Sequence, residues 1–274
     1  LAIELSSKCA LMVEPRVKDG DFNYFLRLQS MGKAFETIYI PIRDHKHSLK
    51  LKKIGKKLGS FLVGNNEINI RYRIEVEQRN IGETVGGDTG KKTVLTLSDN
   101  NSTDMKADVH GHTLSSTMES LARKKKGSKG FLRAQHHRTN YINWSIKQMN
   151  FSSYKQINLE KINNIFYKNK TSRLMSHFAN AEIEKAIISK CELDGVHLNF
   201  QSSMYRSQRC SGCGFVRKAN RKGKLYKCKR CGIELDSDLN AAKNHAISLF
   251  SLPGRLRHLK LNLKGFFWKP DGLF

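Results

Sequence analysis

Four cysteines in the last third of the chain are spaced like the ligands of a single metal ion. They form two Cys-x-x-Cys pairs, Cys210/Cys213 and Cys228/Cys231, with fourteen residues between the pairs. Each pair presents two thiolates, and two such pairs complete a tetrahedral zinc site. Because all four ligands are sulfur, no position is left for water, so we expect one structural Zn²⁺. The alternative is a pair of disulfides, which this spacing disfavours.

Three acidic residues, Asp88, Glu160 and Asp238, each lie where one predicted element ends or begins. Carboxylates that converge from strand ends and a helix start can hold two divalent cations about 4 Å apart, the arrangement used for in-line phosphodiester hydrolysis. Each residue also has an ordinary interpretation. Asp88 alone would be a turn residue, Glu160 a surface charge, and Asp236 or Asp238 a helix cap.

The charge of the chain points to a polyanionic partner. The 274 residues include 49 Lys and Arg against 24 Asp and Glu, a formal net charge of +25. Nucleic acid is the favoured partner and an anionic membrane surface the alternative. No run approaches the ~18 apolar residues of a membrane span, so we expect a soluble, cytoplasmic protein without a membrane partner. Because the chain begins at Leu1 rather than Met, we expect it to be part of something longer.

The first eighty residues predict β-structure. Apolar residues alternate with polar ones over 67–77, and further short strands are predicted over 24–28 and 35–41. Short strands with turn signals between them favour a small barrel or sandwich. The segment Lys50–Lys57 has five lysines in eight residues, and we expect it to contact phosphates rather than only solvent.

The rest of the chain predicts an α/β arrangement that places the three acids. A hairpin over 83–98 ends its first strand at Asp88, and a third strand is expected near Thr103. The remaining predicted elements are helices over 112–126 and 131–149 joined by the basic elbow 123–129, a strand over 156–162, a helix over 172–191, a strand over 195–200 and a helix over 239–250. The last helix carries Leu239, Ala242, Ala246 and Leu249 on one side, with Asp238 or Ser237 as its cap.

Several segments resemble the TnpB family and the type V CRISPR effectors related to it. The resemblance covers residues 81–250 well and 1–80 less specifically. It rests on Gly-Asp88-Thr-Gly, the basic elbow, Leu-Glu160-Lys-Ile, Tyr205-Arg-Ser-Gln-Arg-Cys-Ser-x-Cys213-Gly, and Asp236-Ser-Asp238-Leu-Asn240-Ala-Ala-Lys-Asn244.

The resemblance implies an RNase H-like (RuvC) domain with an inserted zinc ribbon, preceded by a small β-barrel (wedge-like) domain. It implies that Asp88, Glu160 and Asp238 are catalytic and bind two Mg²⁺, and that Arg221 supports catalysis. The implied domains are a wedge-like nucleic-acid-binding domain over 1–80, a nuclease domain over 81–203 and 235–250, the ribbon over 204–234, and a C-terminal tail over 251–274.

The implied function is that of an RNA-guided DNA endonuclease. The expected partners are a guide RNA and target DNA, both double-stranded and single-stranded. One alternative is a catalytically weak or inactive RNA-guided repressor that only binds DNA. A second is a guide-free, structure-selective nuclease. The sequence leaves open the guide scaffold, the flanking motif, the genetic context and the oligomeric state.

Overall fold

The computed structural model describes residues 3–16, 20–29, 36–65, 67–104, 106–161 and 179–273. The chain divides into two compact units, Leu1–Glu75 and Val76–Phe274.

The first unit contains two small antiparallel sheets. Its elements are β1 (Ile3–Leu5), β2 (Ala10–Val13), β3 (Tyr24–Gln29), β4 (Thr37–Ile42), α1 (Lys46–Ile54), β5 (Lys56–Val63) and β6 (Ile68–Arg73). One sheet has the order β1-β5-β6 and the other β2-β3-β4. Ala10, Leu26 and Phe61 are fully buried at the centre of one apolar cluster.

The predicted barrel over 1–80 is wrong for the described residues, where neither sheet closes on itself. The alternation of apolar residues specifies strands with one buried face, and two open sheets bury such faces as well as a closed barrel does. The lysine-rich segment contributes the end of α1 and the start of β5. His45 and Ser48 form a capping box that begins this helix.

The second unit is built around a mixed four-stranded sheet. Its first elements are β7 (Glu83–Thr89), β8 (Leu95–Leu97), α2 (Leu114–Arg123), α3 (Lys129–Gln148), β9 (Tyr154–Lys161), α4 (Asn180–Asp194) and β10 (His197–Ser202). The strand order is β10-β9-β7-β8. The first three strands are parallel, and β8 runs antiparallel to β7. This is a mixed α/β fold, as the sequence predicts.

One apolar core joins this sheet to its helices. Its largest buried members are Leu95, Leu97, Leu114, Tyr141, Ile142, Ile146, Phe151, Ile157, Leu159, Ile183 and Ile187. The third strand expected near Thr103 is wrong, because only an isolated bridge between Ser102 and Thr96 forms there. Residues 172–178 of the helix predicted over 172–191 lie outside the described residues.

The last part of the chain, described to residue 273, contains two small antiparallel sheets and two α-helices. The elements are β11 (Phe215–Val216), β12 (Arg221–Lys222), β13 (Leu225–Lys227), β14 (Glu234–Asp236), α5 (Ser237–Ala246), α6 (Leu261–Lys264), β15 (Phe266–Lys269) and β16 (Gly272–Leu273). The segment predicted as a tail contains β15, which pairs with β11 and buries Trp268.

Candidate metal and nucleic-acid site

Asp88 lies on the face of β7 that is covered by α5. Side chains alternate along a strand, so Gly86, Asp88 and Gly90 share that face. A Cβ atom built at Gly86 would come within 2.0 Å of the Ala242 carbonyl oxygen. The helix backbone therefore rests directly on the strand, a packing that only glycine allows.

Glu160 lies beside Asp88 on the neighbouring parallel strand. Gly87 pairs with Leu159 in the register of β7 and β9, so the residues that follow them are adjacent. The Thr89 hydroxyl donates a hydrogen bond to Glu160 Oε1 at 3.2 Å. This bond fixes one carboxylate oxygen at the end of the sheet.

Two of the acids are held in environments that disfavour their charged forms. Asp88 is 7% exposed, and burial raises its pKa well above the usual value, with further increases from the charges of Glu160 and Asp238. Burial also raises the pKa of Glu160, although the Thr89 hydrogen bonds oppose that change. Two neighbouring carboxyl groups whose pKa values are raised are typical of a functional site.

Asp238 reaches the same region from the first turn of α5. The helix begins at Asp236, whose Oδ1 accepts hydrogen bonds from the backbone N–H of Asp238 at 2.8 Å and of Leu239 at 3.2 Å. The cap is therefore Asp236 rather than Asp238 or Ser237. Asp238, only 5% exposed, is free of capping and pairs with two basic side chains.

Arg221 and Lys224 neutralise Asp238. Arg221 Nη2 lies 3.3 Å from Asp238 Oδ1, and Lys224 Nζ contacts Asp238 Oδ2. The sequence interpretation included Arg221 but missed Lys224. Lys224 lies three positions after Arg221, in the turn of the same hairpin. Its contact with Asp238 could be identified only once the pairing of β12 with β13 was known.

His245, two helical turns after Asp238, is a second residue that the sequence interpretation missed. One of its ring nitrogens and one carboxylate oxygen each from Asp88 and Glu160 all lie within 4.8 Å of one another. The side chain is 1% exposed, and burial lowers its pKa to about 3, helped by the charge of Arg206. The i, i+7 spacing from Asp238, which keeps both residues near one helical face, was the available signal.

The four cysteines form the second cluster, and their sulfur atoms all lie within 4.8 Å of one another. Cys210 Sγ is 3.7 Å from Cys231 Sγ, and Cys213 Sγ is 3.7 Å from Cys228 Sγ. Ligands about 2.3 Å from a tetrahedral zinc ion lie about 3.8 Å apart, so the cluster fits Zn²⁺ and excludes disulfides. Gly214 and Gly232 follow the two pairs with φ of +79° and +78°, the left-handed conformation that glycine favours.

Asn240 connects the cysteine cluster to α5. Its Oδ1 accepts a hydrogen bond from the Ser211 N–H at 3.0 Å, and its Nδ2 donates to the Arg209 carbonyl at 2.8 Å. Asn240 is fully buried. The helix that carries Asp238 is therefore tied to the first cysteine pair by two buried hydrogen bonds.

Asn244 adds a further connection one turn later. Its Nδ2 lies within 3.0 Å of the Arg206 and Arg209 carbonyl oxygens, and its Oδ1 accepts from Arg209 Nη1 at 2.6 Å. The buried side of α5 is thus largely polar, whereas the sequence predicted an apolar side of Leu239, Ala242, Ala246 and Leu249. Of these, Ala242 is buried as predicted and Leu249 lies beyond the end of the helix. The polar side chains are buried because backbone carbonyl groups of the preceding segment satisfy their amides.

Basic residues are unevenly available for phosphate contacts. The elbow Arg123–Lys129 between α2 and α3 is largely exposed. Arg138 of α3 is buried and pairs with Glu182 at 2.9 Å. In the first unit, Lys52 Nζ lies 2.7 Å from Asp44 Oδ1, whereas Lys53, Lys56 and Lys57 are exposed.

Comparison with known proteins finds a matching family model, two similar sequences and a similar fold. A family model described as "Cas12f1-like, TNB domain" matches residues 181–245. The CRISPR-associated endodeoxyribonuclease Cas12f1 of Sulfoacidibacillus thermotolerans is 37% identical over 92 residues, 33% of this chain and 21% of that protein. The Cas12f1 of Syntrophomonas palmitatica is 31% identical over 62 residues, 22% of this chain and 12% of that protein.

A solved Cas12f1–sgRNA–target DNA complex contains a chain of similar fold, with a TM-score of 0.54 and 13% identity. The match covers 90% of this chain and 59% of that chain. The chain therefore spans about a fifth or less of the two curated relatives and under two thirds of the solved neighbour. Within the part of the chain that the structure describes, no helix is long and apolar enough to cross a membrane.

Proposed function

Because its resemblance to TnpB and the type V CRISPR effectors is confirmed, we propose that this chain carries the nuclease region of an RNA-guided DNA endonuclease. The observation that carries the proposal is the convergence of Asp88, Glu160 and Asp238 from two adjacent parallel strands and a helix start. The charges of Glu160 and Asp238 both act on Asp88, which places the three carboxylates in one electrostatic site. A site of this kind is suited to phosphodiester hydrolysis.

The sheet supports an RNase H-like (RuvC) domain. Three parallel strands with an antiparallel edge strand carry Asp88 and Glu160, and α5 covers the same face with Asp238. The cysteine-containing segment lies between β10 and α5, which fits an inserted zinc ribbon. The wedge-like role of residues 1–80 and the other domain boundaries stay predictions.

The three carboxylates fit divalent cations. Mg²⁺ prefers oxygen ligands. Burial and mutual repulsion disfavour the charged forms of Asp88 and Glu160, and a bound cation would offset both effects. Two Mg²⁺ ions held by Asp88, Glu160 and Asp238 would supply an activated water and stabilise the leaving 3′-oxygen.

The surrounding residues hold these carboxylates in place. Thr89 orients Glu160, and the Asp236 cap fixes the first turn of α5, which carries Asp238. Arg221 and Lys224 stabilise the Asp238 charge without a cation. If Asp238 were a cation ligand, the Arg221 guanidinium would be free to bind a phosphate oxygen of the substrate, which is the supporting role we propose for it.

A cavity of about 390 Å³ lies beside the start of α5. Its lining includes two lysines, Lys92 and Lys224, and two aspartates, Asp104 and Asp236, so it is not itself basic. The exposed elbow and the net charge of +25 support guide RNA and double- or single-stranded target DNA as partners. The Cys210, Cys213, Cys228 and Cys231 cluster is proposed to hold one Zn²⁺ that stabilises the ribbon.

The test is cleavage of target DNA by protein purified with its bound RNA, in the presence of Mg²⁺, with the Asp88→Ala protein in parallel. We expect cutting by the wild type only. Equal cutting by both proteins would contradict the site, and cutting by neither would favour the DNA-binding repressor. Sequencing of the copurified RNA separates the third possibility, since a guide-free nuclease should purify without a defined RNA.

A further inference from the structure

His245 differs from the other buried polar residues of α5. Asn240 and Asn244 use their side-chain amides to bond backbone groups of the preceding segment. His245 is as deeply buried, yet its Nδ1 has no hydrogen-bond partner among the described residues. A buried imidazole nitrogen without a hydrogen-bond partner lowers the stability of the folded state. A bound ion at this nitrogen would remove that cost.

The ring of His245 is positioned to bind the same metal ion as two of the acids. Ligand atoms of Asp88, Glu160 and His245 lie within 4.8 Å of one another. Opposite ligands of a divalent ion at about 2.1 Å are about 4.2 Å apart, so only a small adjustment brings all three onto one ion. Asp238 is not part of this close group, which indicates that it serves a different position in the site.

The backbone contacts of this region hold His245 in place. The Asn158 amide on β9 donates a hydrogen bond to the His245 carbonyl at 3.1 Å, and Gly86 lies against the same turn of the helix. Asn158 and Glu160 point to the same face of β9 because side chains alternate along the strand. The strand that carries Glu160 therefore also fixes the backbone of His245.

We propose that His245 supplies a nitrogen ligand to a divalent cation bound by Asp88 and Glu160, and that it biases this position toward a transition-metal ion over Mg²⁺. The proposal rests on the nuclease site proposed above and adds a ligand to it. Mg²⁺ is bound through oxygen, whereas imidazole suits Fe²⁺, Ni²⁺, Cu²⁺ and Zn²⁺. The site thus has one mixed nitrogen–oxygen position, with Asp238 contributing to a neighbouring position of oxygen ligands.

The test uses Mn²⁺ as a paramagnetic probe in the full, zinc-loaded chain. Electron spin echo envelope modulation detects nitrogen bound directly to Mn²⁺, and ¹⁵N-histidine labelling assigns that nitrogen to a histidine. We expect nitrogen modulation in the wild type and in His197→Leu, which removes an exposed histidine of β10, and none in His245→Leu. The Ni²⁺ affinity of the zinc-loaded His245→Leu protein at this site should fall about tenfold, while its Mg²⁺ affinity changes little.

Two outcomes would overturn the assignment: bound Mn²⁺ without nitrogen modulation in the wild type, or unchanged modulation in His245→Leu. If His245→Leu does not fold, His245→Gln takes its place as a polar variant without an imidazole. Cleavage measured in parallel separates the two proposals. Nitrogen modulation without cleavage would support His245 as a ligand and contradict the proposed nuclease function. Cleavage without nitrogen modulation would support the nuclease function and contradict His245 as a ligand.

Discussion

The cysteine cluster and the acidic cluster are both suited to metal ions, but they are assembled on different scales. The four cysteines lie within 22 consecutive residues, on two tight turns that each end in a left-handed glycine. The acidic cluster draws Asp88, Glu160 and Asp238 from three elements that are far apart in the chain. One cluster depends on local turns, and the other on the packing of a helix against a sheet.

Their chemistry differs in the same way. Four sulfur ligands saturate a zinc ion and leave no position for substrate. The acidic cluster has fewer protein ligands, and two basic side chains share one of its carboxylates. The cysteine cluster is therefore suited to stabilising the fold, and the acidic cluster to exchanging ligands. Substitutions in the cysteine cluster should lower zinc content and local stability, whereas substitutions in the acidic cluster should lower cleavage.

The largest effect is expected from Asp238→Asn. The substitution keeps size and removes the charge, so cleavage should fall by at least about a thousandfold. Guide and target binding should stay within about twofold, because lysine and arginine contacts to phosphates dominate affinity. Parallel cleavage and filter-binding assays measure both quantities.

Asp236→Asn is the matched control for Asp238→Asn. Asn caps a helix about as well as Asp, so α5 should keep its start and cleavage should change little. A dead Asp236→Asn protein beside an active Asp238→Asn protein would reverse the assignment of the two aspartates.

Cys228→Ser tests whether the two clusters are coupled. Loss of one thiolate should release the zinc ion, loosen the ribbon and lower cleavage, because the first cysteine pair is hydrogen-bonded to α5. Elemental analysis and cleavage assays give the two readouts. Cys9→Ser, outside both clusters, should keep both zinc and activity; a full zinc content in Cys228→Ser would remove the ligand assignment.

Gly86→Ala should damage the acidic cluster alone. The added methyl group meets the α5 backbone, so the helix must move away from β7 at a cost of about 3 kcal/mol in the free energy of unfolding. Zinc content should remain full while cleavage is lost. In Gly130→Ala the nearest atom to the new Cβ is 3.7 Å away, and denaturant unfolding should show no loss of stability. Wild-type activity in Gly86→Ala would contradict the packing.

The smallest effect is expected from Asn240→Ala. This substitution removes the hydrogen bonds between α5 and the segment of the first cysteine pair and leaves every proposed metal ligand in place. Two buried hydrogen bonds are lost, at a cost of about 2 kcal/mol in the free energy of unfolding. Zinc content should stay full and cleavage should fall only partly. Loss of zinc in this variant would indicate that α5 supports the ribbon more strongly than these contacts predict.

Local patterns in the sequence were enough to predict most elements of the central sheet and the cysteine cluster. The alternation around Ile157 and Leu159 predicted β9, and the hairpin signals predicted the pairing of β7 with β8. The closed barrel was wrong because alternation does not encode which strands meet at the edges of a sheet.

Long-range packing decided what the patterns missed. The buried side of α5 carries Asn240, Asn244 and His245, which a search for apolar periodicity assigns to solvent. Their burial depends on partners in other segments, such as the Arg209 carbonyl for the amides. Lys224 was missed for the same reason, since its contact with Asp238 forms only when the hairpin packs beside α5.

The direct contact between Gly86 and α5 has a consequence for how the protein is made. β7 carries two adjacent glycines, which leave the strand flexible until the helix packs on it, and that helix is synthesised about 150 residues later. A nascent chain that ends before residue 246 contains Asp88 and Glu160 but lacks the element that buries them and completes their cluster. Products of premature termination within this region should therefore be inert at this site, so that cutting capacity appears only after α5 has left the ribosome.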